Sequence, residues 1–94
     1  MTELNLNKPL LDLDNAPVEK VTIGVVLAQQ LISSTKGDAL KFLDWAITLK
    51  QGKPLHLDIS DKEKLKLFVE SSETLTNLGK GRILQEILAA KNLV

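Results

Sequence analysis

The stretch that most constrains the fold is Gly37-Asp38-Ala39-Leu40-Lys41-Phe42-Leu43-Asp44-Trp45-Ala46-Ile47-Thr48-Leu49-Lys50, which holds the only tryptophan and one of two phenylalanines. At about 100° per residue it reads as one helix. Trp45, Leu49, Phe42, Ala46, Ala39, Leu43, Ile47 and Leu40 cover well over half of its circumference, leaving Lys41, Asp44 and Thr48 as a narrow wet stripe. A helix that apolar is expected to be covered on two sides. Asp38 or Thr35 can cap its start, and Gly52 followed by Pro54 ends it.

The remaining segments are placed around this helix. Leu4-Asn5-Leu6 and Leu11-Asp12-Leu13 alternate with period two, and Asp14-Asn15-Ala16-Pro17 supplies turn formers before Val18, so a short β-hairpin is expected around that turn. Pro9 makes the segment before it an edge or an arm able to reach a neighbour. Thr22 can cap a first helix from Ile23 to about Ile32, with only Gln29 and Gln30 looking outward; the β-branched run of Val21, Thr22, Ile23, Val25 and Val26 would also suit a strand.

Leu55-His56-Leu57-Asp58-Ile59 alternates as a third strand paired with the hairpin, its Leu55, Leu57 and Ile59 facing inward. Ser60 to Glu63 has the spacing of a capping box, opening a helix with Leu65, Phe68 and Val69 on one face and Lys62, Lys64 and Lys66 on the other. From Thr74 to Lys91 the apolar residues define two faces, Leu75 and Leu78 against Ile83, Leu84, Ile87 and Ala90, so a kink or a change of partner is expected near Gly79 and Gly81.

The expected architecture is mainly α of the α+β class, about four helices packed with a small antiparallel β-hairpin or sheet. It forms a single domain over 1–94, with an N-terminal hairpin or arm at 1–20 and a helical body at 22–94 that includes a short strand at 55–59. Ninety-four residues support one core with little surplus stability. The first and last helices carry more apolar surface than so small a domain hides, which favours a homo-oligomer.

Composition narrows the function. Twelve basic residues balance twelve acidic ones, so no field steers the chain onto bulk DNA, RNA or anionic membrane. The absence of cysteine removes disulfides, thiolate catalysis and Cys-type zinc sites, and fits a cytoplasmic location. The acidic, polar start Met1-Thr2-Glu3-Leu4-Asn5 has no secretory pattern, and the apolar run Ile23 to Ala28 is far too short to span a membrane. No metal or cofactor is expected: Asp58-Ile59-Ser60-Asp61-Lys62 lacks the central glycine and closing glutamate of a calcium loop.

Four residues carry candidate binding chemistry. Gly79-Lys80-Gly81-Arg82 contains the only arginine, and amides freed by two glycines beside Lys80 and Arg82 would suit a phosphate; the plainer reading is close helix packing with both side chains solvated. Lys36, in Ser33-Ser34-Thr35-Lys36-Gly37-Asp38 ahead of a helix, is a second phosphate candidate against the reading of an ordinary capped loop. Trp45 at the border of the apolar arc is a core anchor, an interface hot spot or a stacking surface. His56 and Asp58, two apart on a strand face, would make an acid-base pair, but nothing completes a triad, so no catalytic residue is assigned and the chain is expected not to be an enzyme.

Thr35 to Ala46, Leu11 to Val18 and Ser72 to Leu78 together resemble small proteins encoded by tailed bacteriophages and prophages. The resemblance implies a viral protein made in the host bacterial cytoplasm, with no catalytic motif to carry over. Two functions are then expected in competition. One is stoichiometric binding as a homo-oligomer, either to a host factor or in virion morphogenesis. The other is sequestration of a phosphorylated nucleotide messenger between subunits, countering an anti-phage defence, with Lys36, Lys80 and Arg82 on phosphates and Trp45 on a base.

Overall fold

A computed structural model of the chain describes residues 2–35 and 37–90. Among these described residues, four strands and four helices follow one another as β1 (Thr2–Leu4), β2 (Pro9–Leu11), β3 (Pro17–Thr22), α1 (Ile23–Ser33), α2 (Ala39–Lys50), β4 (Leu55–Leu57), α3 (Ile59–Ser71) and α4 (Asn77–Ala89). The class is the expected one, helices with a small antiparallel β component.

The hairpin forms where its turn chemistry predicts. The Asp12 carboxylate accepts from the amides of Asp14 at 2.8 Å and Ala16 at 3.0 Å, and Asn15 takes the left-handed conformation at φ 61°, which asparagine tolerates better than most residues. β2 and β3 pair antiparallel with an irregularity, since Pro9 faces Thr22 while Leu11 faces Pro17. β3 therefore runs beyond residue 20, directly into α1. Thr22 is both the last residue of β3 and the cap of α1, its hydroxyl accepting from the Val25 amide at 3.1 Å.

The remaining free amides at that helix start are taken by the segment that follows β1. Ile23 donates to the Lys8 carbonyl and Gly24 to the Leu6 carbonyl, each at 2.9 Å. A β-carbon at Gly24 would stand 3.1 Å from the Leu6 carbonyl oxygen, so the close crossing of chain and helix depends on glycine here. This crossing separates β1 from the hairpin. β1 pairs instead with β4, Thr2 opposite Leu57 and Leu4 opposite Leu55, and the described residues form two two-stranded sheets in place of one three-stranded sheet. The arm expected to reach a neighbour lies against β4 of its own chain.

Two other boundaries move for capping reasons. The strand expected over 55–59 stops at Leu57, because Asp58 caps α3 by accepting from the Asp61 amide at 2.7 Å. Aspartate two positions earlier displaces Ser60 from that role, and Ile59 becomes the first helical residue, 77% exposed instead of inward-facing. At the other end, α4 starts only at Asn77, capped by the Thr76 hydroxyl on the Gly79 amide. Leu75 is buried but lies before the helix, so its misfit to the face of Ile83 and Ile87 needs no kink. Lys91, the expected last residue of this helix, lies outside the described residues.

One apolar cluster joins these elements. Leu4, Leu6 and Leu10 from the N-terminal strands and their connection, Leu27 and Leu31 from α1, Phe42, Trp45 and Leu49 from α2, Leu55 and Leu57 from β4, Leu65 and Val69 from α3, and Ile83 and Ile87 from α4 are all buried in it. Among the described residues, no helix is long and apolar enough to cross a membrane.

Candidate interaction surface

The helix α2 divides its apolar residues between two faces. Phe42, Trp45, Ala46 and Leu49 are buried on α1 and the cluster behind it. Phe42 stacks on Trp45 with ring centroids 5.6 Å apart and meets Phe68 of α3 edge-on at 5.1 Å, so all three aromatics of the chain form one group. Gly37, at φ +97°, lets the chain turn into α2 against this group; a β-carbon there would sit 2.5 Å from the Phe42 ring.

The opposite face is open. Leu40 is 82% exposed, Leu43 51% and Ile47 49%, and their spacing of three and four residues aligns them as one stripe. Ile32, 54% exposed near the end of α1, extends the stripe sideways, since Ile32 and Leu43 line the same groove of about 260 Å³ together with Ala39 and Phe42. The eight apolar residues of α2 span well over half of its circumference, which calls for cover on two sides. In the structure Leu40 stands open while Leu43 and Ile47 are about half covered, so the described residues supply only part of the second covering expected for this helix. A signal for the split was present in size: the aromatic residues Phe42 and Trp45 lie with Leu49 on one side, and a helix at the surface of a small core buries only one stripe.

Beside this face the Lys41 ammonium donates to the Asp61 carboxylate at 2.6 Å, tying α2 to the first turn of α3. That hydrogen bond, aided by the charges of Asp61, Asp38 and Asp58, holds the Lys41 pKa above its ordinary value despite partial desolvation.

The phosphate candidates do not come together. Lys80 donates Nζ–H to the Ser72 carbonyl at 2.8 Å and to the Glu70 carbonyl at 3.4 Å, which closes the end of α3. Arg82 donates from Nε to the Leu11 carbonyl at 3.0 Å and from Nη2 to the Asp12 carbonyl at 2.5 Å, which fastens the hairpin to α4, while Nη1 reaches Gln85 at 3.4 Å. Lys36 lies outside the described residues. Gly79 is buried against Leu75 and Val26, whereas a β-carbon at Gly81 would meet nothing within 4 Å. Trp45 is only 6% exposed and belongs to the core cluster.

The acid-base pair is likewise not assembled. His56 is exposed opposite Glu3 in the β1–β4 pair, and the Asp58 carboxylate is engaged as the cap of α3. A second apolar area lies where the hairpin tip meets α4: Leu13, 90% exposed, borders an open groove of about 580 Å³ shared with Leu78, Gly81 and Arg82.

Comparison of the chain with protein-family models, with curated proteins and with solved structures found no match.

Proposed function

We propose that this chain is a non-enzymatic protein of a bacteriophage or prophage that acts by stoichiometric binding as a homo-oligomer, in the host bacterial cytoplasm. Its target is a host factor or another component of virion morphogenesis. The observation that carries the reading is the exposed stripe of Leu40, Leu43 and Ile47 with Ile32 beside it. Four large apolar side chains, each about half exposed or more, make a patch on the order of 400 Å², in the range where the largest patch on a small protein marks a binding surface. The phage resemblance of three separate segments supplies the setting.

The test is twofold. Purified protein should associate with itself and should turn over no substrate, and multiple turnover of any substrate overturns the reading. Mass spectrometry of purified particles separates the two targets, since a morphogenesis protein is retained or leaves a precursor trace and a host-directed one is absent.

Sequestration of a phosphorylated nucleotide is the competing reading. It requires Lys80 and Arg82 to exchange backbone carbonyls for phosphate, and Trp45 to leave its stack with Phe42. Calorimetric titration with cyclic and linear nucleotides is accordingly expected to give flat isotherms, and a saturable heat lost in Arg82→Ala would establish the competing reading instead.

A further inference from the structure

The α2 stripe has the three-then-four spacing at which side chains of one helix interlock with those of another. We propose that a second copy of this chain covers it, the two α2 helices lying antiparallel across a two-fold axis beside Leu43. The inference rests on the reading of the chain as a self-associating binding protein, and names the surface and symmetry that it uses.

The stripe is complementary to itself. With a rise of about 1.5 Å per residue, Leu40 and Ile47 stand about 5 Å to either side of the midpoint between Leu43 and Asp44. A two-fold axis at that level sets Leu40 of each copy against Ile47 of the other, with the two Leu43 side chains adjacent at the axis. Ile32 flanks the seam on the Leu43 side, where it shares a groove with that residue.

The area fits. Pairing removes on the order of 800 Å² of apolar surface from the two copies, and at the roughly 60% apolar share of ordinary interfaces the total is about 1,300 Å², within the range of stable pairs. The same axis also sets the two exposed Asp44 carboxylates on one side of the seam at nearly the same level, where they stay in water at its rim. Asp44 is the one charged residue between Leu40 and Ile47 that borders the open stripe, at its wet rim, and Lys41 on that same flank is held by Asp61 of its own chain. An identical stripe matches apolar to apolar along the whole seam, with the charged groups left at its rim.

The cysteine-free sequence permits a direct test. Full-length Leu43→Cys under mild oxidation should form a covalent dimer, whereas Ile59→Cys and Leu88→Cys, exposed on α3 and α4, should stay monomeric on a denaturing gel. Light scattering of the unsubstituted chain should give twice 10.4 kDa. Leu43→Glu should return the mass to that of one chain with an unchanged circular dichroism spectrum.

A monomeric unsubstituted chain, a dimer that survives Leu43→Glu, or cross-linking at Leu88 in place of Leu43 overturns the inference. An oligomer that forms but does not cross-link through Leu43→Cys overturns this seam while leaving self-association standing. Substrate turnover by an intact α2-paired dimer would overturn the binding function and leave the seam in place.

Discussion

Arg82 and Lys41 each spend their charge inside the chain. Arg82 spans two neighbouring carbonyls at the start of the hairpin turn, Leu11 and Asp12, and its removal leaves both acceptors half-buried without that donor. Arg82→Ala is expected to cost about 2 kcal/mol, lowering the thermal midpoint by roughly 10 °C in a domain of this size. Arg82→Lys should recover less than half, because a single ammonium lacks the fork that reaches both oxygens. Thermal denaturation of the three proteins decides it. For Lys41 the folded pKa is raised above the ordinary 10.5, so its ion pair stabilises the fold fully below that value and the contribution is lost as pH rises through the folded pKa. The midpoint difference between the unsubstituted chain and Lys41→Met should therefore be constant near neutrality and shrink in strongly alkaline buffer. Neither partner was legible in the sequence. Leu11 and Asp12 lie some seventy residues before Arg82, and a cation with a distant carbonyl partner looks the same in sequence as one awaiting a phosphate.

At the scale of the element, local chemistry was sufficient wherever it was unopposed. Thr22 at the start of α1, Asp38 at the start of α2, the Asp12-to-Ala16 turn and Gly52 at φ +76° all sit where their side chains or backbone freedom require. It failed where two signals competed within three residues. Asp58 and Ser60 can each cap a helix, and the period-two alternation of Leu55 to Ile59 favoured the later start. The structure uses Asp58, so Asp58→Ala should cost about 1 kcal/mol while Ser60→Ala is nearly neutral. Chemical denaturation of the pair measures this, and the opposite order would move the start of α3 back to Ser60. The pairing of β1 with β4 is a different kind of miss. Alternation identifies strands but carries no address, and what diverts β1 from the hairpin is the crossing of residues 5–8 over the start of α1.

Over the whole molecule, the question is how much of the apolar sequence one small core can take in. The cluster buries Leu4, Leu6 and Leu10 of the N-terminal strands and their connection together with Phe42 and Trp45, yet leaves Leu40, Leu43 and Ile47 of α2 half-exposed or more. A second copy seated on that stripe stabilises the folded state by mass action, so the thermal midpoint should rise with protein concentration, by several degrees across a hundredfold range, and Leu43→Glu should abolish the dependence. Differential scanning at several concentrations reads this directly. Equal midpoints at all concentrations would mark the stripe as unpaired in solution.

Taken alone, the sequence determined the number and type of the helices, the hairpin turn, and the caps of the first two helices. These depend on periodicity and on hydrogen bonds between residues a few positions apart. It also led to the expectation of surplus apolar surface, but on the first and last helices, whereas the longest exposed stripe is on α2. Only the tertiary structure decided where that surplus lies. Which arc of α2 is buried depends on where α1, β4 and α3 stand around it, and their positions follow from contacts between residues far apart in the chain. The same holds for Lys80 and Arg82, whose donors the fold commits to carbonyls of α3 and the hairpin. The helix that most constrained the fold is thus a core element on the side of Phe42 and Trp45, and an open apolar surface on the side of Leu43.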